Sequence, residues 1–270
     1  MCPSPVPTAL AALFAGAVAA APAAAQDGAA DLAKQLSNPV AALISVPFQL
    51  NYDHDIGAAE TGTRWNLNVQ PVVPISLNAD WNLISRTIVP LVSQDEIVPG
   101  AGRQSGLGDV VQSLFLSPKA PTAGGWIWGA GPAFAVPTGT DDRLSARKWS
   151  AGPTAVALRQ ENGWTYGVLA NHLWSFAGDS DRADVNASFV QPFVSYTTPD
   201  AWTFTLNTES TYDWRGSQWT VPINALASKV TRIGDQLVSI GGGLRYWADG
   251  PDGAPSGLGL RLVVTLLFPK

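Results

Sequence analysis

The chain has 270 residues, and 14% of them are charged, well below the roughly 25% of an ordinary soluble domain. Its net charge of −5 argues against a nucleic-acid-binding protein, because no basic stripe is present to neutralise phosphates. No stretch of the sequence reaches the roughly 18 to 20 consecutive apolar residues of a membrane-spanning helix. The hydrophobic residues, 46% of the total, are finely interrupted, and the 26 Gly, 21 Pro and 11 Trp are typical of many strands, many turns and many interfacial aromatic residues.

Residues 1–25 have the pattern of a secretory signal peptide. An apolar run from Ala9 to Ala21 is too short to anchor the chain in a membrane, and the small residues at 23–25 form a cleavage site before Gln26. Residues 1–8 contain no Lys or Arg, so either the free amine supplies the usual positive charge or translation starts upstream. The single cysteine, Cys2, lies in this leader, so the mature chain is predicted to have no disulfide.

Residues 26–41 are predicted to form a short helical segment. Leu32 and Leu36 lie four residues apart, and Pro39 stops the helical pattern. Two roles remain open for this segment: a periplasmic tether outside the domain that follows, or a plug that enters it.

From Ala42 onward the apolar residues recur with a period of two, which places successive side chains on opposite faces of a strand. In 202–212, aromatic and aliphatic residues alternate with Thr, Asn and Glu, and in 65–70 Trp, Leu and Val alternate with Asn and Gln. The final segment repeats the scheme with apolar residues at Leu258, Leu260, Leu262, Val264, Leu266 and Phe268. The body of the chain is therefore predicted to be all-β.

Turn signals divide residues 42–270 into about twelve strands, each near the length that a tilted membrane strand needs. The predicted spans are 42–54, 63–76, 80–92, 105–117, 125–137, 147–160, 163–176, 184–198, 201–213, 217–229, 235–247 and 257–268. Tight connections alternate with longer, mostly acidic or Gly-rich ones, as in membrane barrels whose short turns face the periplasm. We therefore predict one domain, an antiparallel transmembrane β-barrel.

Ten of the eleven tryptophans, nearly all at or near the ends of the predicted strands, stand at positions 65, 81, 126, 128, 149, 164, 174, 202, 219 and 247. There an indole can bury its ring in lipid and keep its N–H among the headgroups, although packing in a soluble sandwich core is an alternative. The last strand ends in Leu266-Leu267-Phe268, which is similar to the signal that the barrel-insertion machinery reads. Pro269 and Lys270 follow it, whereas Phe is most often the last residue of that signal.

Six short stretches spread over the mature chain carry a family resemblance. They are Asn38-Pro39-Val40-Ala41, Val46-Pro47-Phe48-Gln49, Trp81-Asn82-Leu83-Ile84-Ser85-Arg86, Gly106-Leu107-Gly108-Asp109-Val110, Ser117-Pro118-Lys119-Ala120-Pro121 and Gly250-Pro251-Asp252-Gly253. Together they resemble the outer-membrane transporter family grouped under "MetA-pathway of phenol degradation". The resemblance implies a barrel in the outer membrane, tied by name in some members to aromatic catabolism, and it implies no substrate-binding residues.

The polar face of the strands is predicted to line the lumen, because a charged side chain facing lipid near the midplane would cost several kcal/mol. The candidates are Gln49, Asn51, Asp53, Asn66, Asn68, Gln70, Asn207, Glu209, Arg245 and Arg261, joined by Arg86 and Asp109 from less regular strands. These residues either bind a solute or form a satisfied salt-bridge network. An inner face rich in Asn and Gln, with few charges and no field of one sign, favours small neutral or weakly polar solutes.

The sequence predicts no catalytic, metal or cofactor site. His54 and His172 are the two histidines, and neither has metal-ligand spacing. His172 with Ser188 or Ser210 could contribute to a hydrolase, but no nucleophile motif surrounds either serine. Residues 178–184 place three carboxylates in one loop without the EF-hand pattern, which indicates a solvated acidic tip that could also share divalent ions with lipopolysaccharide.

The sequence thus predicts an outer-membrane channel or transporter for small solutes, such as aromatic or weakly polar compounds, exported through the Sec pathway. The alternative is a plugged structural or sensing barrel with no transport role. The predicted partners are outer-membrane lipid, lipopolysaccharide, the barrel-insertion machinery through Phe268, and a small-molecule solute.

Overall fold

The computed structural model describes residues 23–98 and 100–269, with side chains from residue 28 onward. Residues 1–22, most of the predicted leader, lie outside the described residues, and 23–25 form the first turn of a helix. The elements are α1 (Ala23–Leu36), β1 (Ile44–Ile56), β2 (Gly62–Val69), β3 (Val72–Ser76), β4 (Trp81–Asp95), β5 (Gln104–Leu107), β6 (Val110–Pro118), β7 (Trp126–Val136), β8 (Lys148–Glu161), β9 (Trp164–Gly178), β10 (Asn186–Thr197), β11 (Trp202–Thr208), β12 (Ser210–Asp213), β13 (Gln218–Ile233), β14 (Gln236–Asp249) and β15 (Gly257–Phe268). In the described part of the chain, no helix is long and apolar enough to cross a membrane.

The strand segments form twelve strands, because three strands are each interrupted once. The breaks separate β2 from β3 at residues 70–71, β5 from β6 at 108–109, and β11 from β12 at Glu209. Pro71 lacks a backbone N–H and cannot donate in the ladder, which accounts for the first break. The predicted twelve-stranded antiparallel barrel is confirmed, and the largest boundary difference is at β13, which continues to Ile233 instead of residue 229.

The sheet closes on itself. Each strand pairs antiparallel with its sequence neighbours, and β1 pairs with β15 from Ile44 opposite Phe268 to Tyr52 opposite Leu260. The first and last strands therefore lie side by side. The start of β1 and the end of β15 lie at the same rim as the connections 77–80, 119–125, 162–163, 198–201 and 234–235, which are on average shorter than those at the opposite rim. We call this rim the turn end. The opposite rim, the loop end, carries 57–61, 96–103, 137–147, 179–185, 214–217 and 250–256.

Alternation along the strands separates an apolar outer face from an inner face. On β15, Leu260 and Leu262 are more than half exposed to the outside, whereas Arg261 between them is 1% exposed. A cation pointing into lipid costs about 2–4 kcal/mol at the membrane midplane, whereas leucine is stable there. The period of two in the sequence therefore decides which face turns inward.

Aromatic residues form two belts on the outer face. Trp81, Trp126, Trp128, Trp164 and Trp202 lie near the turn end, and Trp65, Trp149, Trp174, Trp214 and Trp219 lie near the loop end. Lys229 Nζ stands 5.3 Å from the ring centroid of Trp202, as expected where a membrane surface offers both lipid and water. Trp247 does not belong to either belt: it is 9% exposed and turned inward, so its predicted place at the lipid interface is wrong.

A row of glycines lets β14 approach its neighbour closely. Gly241 and Gly243 point inward, and a Cβ added to Gly243 would overlap the carbonyl oxygen of Ala225 on β13. Gly242, which points outward, would meet mainly the flexible end of Leu262. The inward glycines also face Arg261 across the ladder, at Gly243, and so leave space for its long side chain.

We expect Gly243→Ala to lower the free energy of unfolding by about 1–3 kcal/mol, because the two backbones must separate to admit the methyl group. Gly242→Ala is the matched control and should change it little. The measurement is urea-induced unfolding of protein refolded into lipid vesicles. Equal midpoints for the two variants would show that the close approach is unimportant.

Candidate functional site in the barrel lumen

The ten predicted lumen residues all lie on inner-face positions. Those on the first two strands are Gln49, Asn51, Asp53, Asn66, Asn68 and Gln70, and those on the later strands are Asn207, Glu209, Arg245 and Arg261. Seven of them, Asn51, Asp53, Gln70, Asn207, Glu209, Arg245 and Arg261, take part in side-chain hydrogen bonds or ion pairs across the inner face. Of the other three, Gln49 lines a cavity, the backbone carbonyl of Asn66 accepts a hydrogen bond from Asn51 Nδ2 at 3.4 Å, and Asn68 has Gln49 and Pro90 as its neighbours across the ladder.

The central cluster consists of Asn51, Glu209 and Arg261. Arg261 donates from Nη1 and Nη2 to the two carboxylate oxygens of Glu209 at 2.8 and 2.7 Å, and from Nε to Asn51 Oδ1 at 2.7 Å. The guanidinium is thus engaged on both edges in a bidentate, charge-assisted arrangement. Asn51 is the direct ladder partner of Arg261, while Glu209 reaches the pair from the interruption between β11 and β12.

The upper cluster lies nearer the loop end and consists of Asp53, Arg64, Arg245 and Trp247. Asp53 is 1% exposed and accepts a hydrogen bond from Trp247 Nε1 at 2.9 Å. Arg64 Nη2 lies 3.4 Å and Arg245 Nε 3.9 Å from its carboxylate oxygens. The guanidinium carbon of Arg245 also stands 4.3 Å from the centroid of the Trp247 ring, a cation–π contact. The carboxylate of Asp53 is therefore the shared counter-charge of Arg64 and Arg245.

Arg86 contributes a further cation to the inner face. Its Nη2 donates to Gln70 Oε1 at 2.9 Å, and it acts on Glu209 through its charge. Together with Arg64, Arg245 and Arg261 it makes four arginines in these contacts. The acidic side chains there are two, Asp53 and Glu209. The expectation of an inner face without an excess of one sign is therefore wrong for these clusters, because Arg64 adds a cation that was not among the predicted lumen residues.

Two residues of these clusters were not among the predicted lumen residues, although the alternation of inner and outer positions along their strands indicates both. Arg64 lies two residues before Asn66, and Trp247 lies two residues after Arg245, so each shares the face of a predicted lumen residue. Asn224 is a third addition, and its Nδ2 donates to Asn207 Oδ1 at 2.8 Å. The position of Trp247 near a strand end concealed its inward direction.

A cavity of about 290 Å³ adjoins the central cluster. Its polar lining includes Gln49, Gln70, Arg86, Asn207, Glu209 and Arg261. Its apolar lining includes Leu36, Pro39, Leu43, Val72, Phe193 and Val263. The cavity is therefore bounded on the barrel wall by the charged clusters and toward the turn end by the residues that precede β1.

Residues 29–43 pack against the inner wall at the turn end. Ala33 and Leu43 are buried with Leu267, and Val40 is buried among Ile84, Phe115, Val156, Leu158 and Leu169. Gln160 Nε2 donates to the carbonyl oxygen of Lys34 at 2.8 Å, which ties the last turn of α1 to β8. The inner face is thus apolar at this end, where the expected polar lining gives way to a surface that receives the N-terminal segment.

Asp109, which was predicted to line the lumen, holds a loop in place at the loop end. Its carboxylate accepts hydrogen bonds from Gly139 N at 3.1 Å, Ser145 Oγ at 2.7 Å and Ala146 N at 2.7 Å. It therefore pins the loop 137–147 against the break between β5 and β6. A carboxylate saturated in this way is not free to bind a solute.

The model of the family "MetA-pathway of phenol degradation" matches residues 57–250. The chain belongs to this family. Among solved structures, the COG4313 outer membrane channel from Pseudomonas putida F1 is 14% identical, with a TM-score of 0.65 over 84% of this chain and 96% of that one. The NanC porin is 12% identical, with a TM-score of 0.48 over 84% of this chain and 100% of that one. A search of curated proteins finds no match.

The fold of this family member is therefore an outer-membrane β-barrel, as the resemblance implied.

A serine–histidine pair lies on the outer face of the barrel, where His172 Nδ1 is 2.7 Å from Ser188 Oγ. Ser188 Oγ also accepts a hydrogen bond from Trp214 Nε1 at 2.9 Å, and His172 Nε2 has no hydrogen-bond partner among the described residues. A hydrolase needs the second imidazole nitrogen oriented by a carboxylate or an amide, and this pair does not extend to one.

The acidic loop 178–184 is held by cations of the protein. Lys148 Nζ lies 3.0 Å from Asp184 Oδ1, and Arg215 Nη1 lies 3.7 Å from Asp184 Oδ2. The hydrogen bond and charge of Lys148 hold the pKa of Asp184 below its usual range. Within the described residues, no group of three or more His, Cys, Asp and Glu side chains could hold a metal ion.

The central cluster generates a stability prediction. Glu209→Leu leaves Arg261 buried without its counter-charge, so we expect it to lower the free energy of unfolding by about 3–5 kcal/mol. The double variant Glu209→Leu, Arg261→Met replaces the pair by apolar side chains of similar size and should recover most of that loss. Urea unfolding of the three proteins in lipid vesicles tests this, and a single variant as stable as the wild type would contradict it.

Proposed function

We propose that this protein is an outer-membrane channel that passes small solutes through the barrel lumen. The observation that carries the proposal is the cavity of about 290 Å³ that adjoins the polar clusters inside a closed barrel. This volume lies near the lower end of the roughly 300–1,000 Å³ of small-molecule sites, which favours compounds of about one ring. Small aromatic or weakly polar solutes fit both the apolar lining and the amide groups, and the family name supports this class.

The orientation that fits the proposal places the turn end in the periplasm and the loop end outside the cell. Short periplasmic turns and longer outer loops are the rule for such barrels. Outer-membrane lipid would then contact the two aromatic belts, and lipopolysaccharide would surround the loop end. Export through the Sec pathway, with removal of residues 1–25, belongs to the same proposal.

A second candidate function is a structural or sensing barrel that passes no solute. The packing of residues 29–43 at the turn end favours it, because Val40 and Ala33 there lie in apolar clusters. In the transport proposal, the same segment is a removable plug that controls access from the periplasm.

Planar-bilayer conductance of the purified protein separates the two candidates. We expect small single-channel currents from the wild type and larger ones from Gln160→Ala, because the N-terminal segment loses the hydrogen bond that Gln160 donates from the barrel wall to the carbonyl of Lys34 and is held less firmly. Gln236→Ala, which removes a donor to the carbonyl of Leu267 at the same rim, is the matched control. Silent wild-type, Gln160→Ala and 26–41 deletion proteins, each shown to be folded by heat-modifiable migration, would favour the structural barrel.

The last strand supplies a prediction about assembly. Phe268 pairs with Ile44 at the seam of the barrel and is 41% exposed on the outer face. We expect Phe268→Ala to reduce the amount of folded protein in the outer membrane, because the insertion machinery loses its terminal aromatic residue. Phe204→Ala, an exposed aromatic residue of β11, is the control. Normal surface protease resistance of Phe268→Ala in cells would overturn this role.

A further inference from the structure

The inner clusters hold more positive than negative charge. Asp53 serves both Arg64 and Arg245, and Glu209 is engaged by both terminal nitrogens of Arg261. Arg86 is left with the neutral amide of Gln70 as its side-chain hydrogen-bond partner among the described residues. An arginine inside a barrel of low dielectric is stabilised by an anion far more than by an amide. One of the two excess positive charges therefore lies at Arg86, and the other lies in the upper cluster, where Asp53 faces both Arg64 and Arg245.

Arg86 lies on the wall of the cavity, together with groups that remain available to a ligand. Ser195 also lines the cavity, is 3% exposed, and its Oγ has no hydrogen-bond partner among the described residues. It is carried by β10, on the far side of the ring of strands from β4, which carries Arg86. Two polar groups thus stand across the lumen from each other, one cationic and one hydroxyl.

Apolar side chains complete the lining of the cavity. Phe193 and Val72 both contribute, and both pack against the apolar cluster around Val40. A small inorganic anion would leave these side chains against empty space or water. A molecule with one anionic group and one apolar ring would instead satisfy Arg86 and bury its ring beside Phe193.

We infer that the cavity is a binding site for a small single-ring monocarboxylate, with its carboxylate paired to Arg86 and its ring against Phe193 and Val72. The planar fork of the guanidinium matches a carboxylate. The charges that line the cavity, Arg86 and Arg261 against Glu209, leave one positive charge, which matches a monoanion and not a dianion such as a phosphate monoester. A hydroxyl on the far side of the ring would meet Ser195. This inference rests on the proposed channel and names its solute class.

The test uses 4-hydroxybenzoate as the probe and 4-hydroxybenzamide, in which a neutral amide replaces the carboxylate, as the matched compound. Isothermal titration calorimetry on the detergent-solubilised protein gives the affinity. We expect 4-hydroxybenzoate to bind about tenfold or more tightly than the amide, because the charge-assisted pair is lost in the latter. Arg86→Gln should remove this preference, and Arg86→Lys should keep part of it.

Arg159→Gln makes the same chemical change at the turn end outside the cavity, and it should bind 4-hydroxybenzoate like the wild type. Equal affinity for the two compounds in the wild type, or an Arg86→Gln variant with unchanged preference, would overturn the site. If Arg86→Gln does not fold, the comparison of the two compounds on the wild type still decides. Planar-bilayer recordings report on the channel separately: protein that binds 4-hydroxybenzoate but never conducts retains the site and refutes the transport role.

Discussion

A polypeptide in hydrocarbon must satisfy its own backbone N–H and C=O groups, since no water is present to do so. In this chain the requirement is met by the pairing of β1 with β15, which removes the two free edges of the sheet. The same ladder sets Asn51 directly opposite Arg261. The pairing that closes the barrel therefore also places Asn51 and Arg261 in contact, so the central cluster depends on closure of the barrel.

Closure also makes an interior in which charges act strongly on one another. Arg261 and Glu209 come from strands that are distant in sequence, and they meet because the barrel is narrow enough for one side chain to cross part of the lumen. In the upper cluster, Asp53 likewise contacts side chains from other strands: Trp247 by a hydrogen bond, and Arg64 and Arg245 by ion pairs. Because Glu209 is engaged by Arg261, Arg86 has the neutral amide of Gln70 as its side-chain hydrogen-bond partner, and one of the two excess positive charges lies there, beside the cavity. The charge beside the cavity thus follows from which pairs are already formed.

The N-terminal segment divides the lumen by polarity. Where residues 29–43 pack, the inner positions of the strands carry Ile84, Phe115 and Leu158, and above them the inner face becomes polar and charged. The cavity lies where these two surfaces meet, which is why it has both an apolar and a cationic lining. A change in the packing of the segment would alter the lower boundary of the cavity directly.

The sequence by itself determined the strand number, the inner and outer faces and most of the aromatic belts. These depend on a local period of two and on the surrounding lipid, so neighbouring residues carry the whole signal. The same alternation places Arg64 on the inner face, with Asn66. Trp247 was assigned to the lipid interface because it lies near a strand end, although alternation places it on the inner face with Arg245. Only the tertiary structure decided that Asp109 pins a loop, that residues 29–43 enter the barrel mouth, and that Glu209 pairs with Arg261 while Arg86 donates to the amide of Gln70. Those outcomes depend on which distant strands face each other across the lumen, and alternation along one strand contains no information about its partner on the opposite wall.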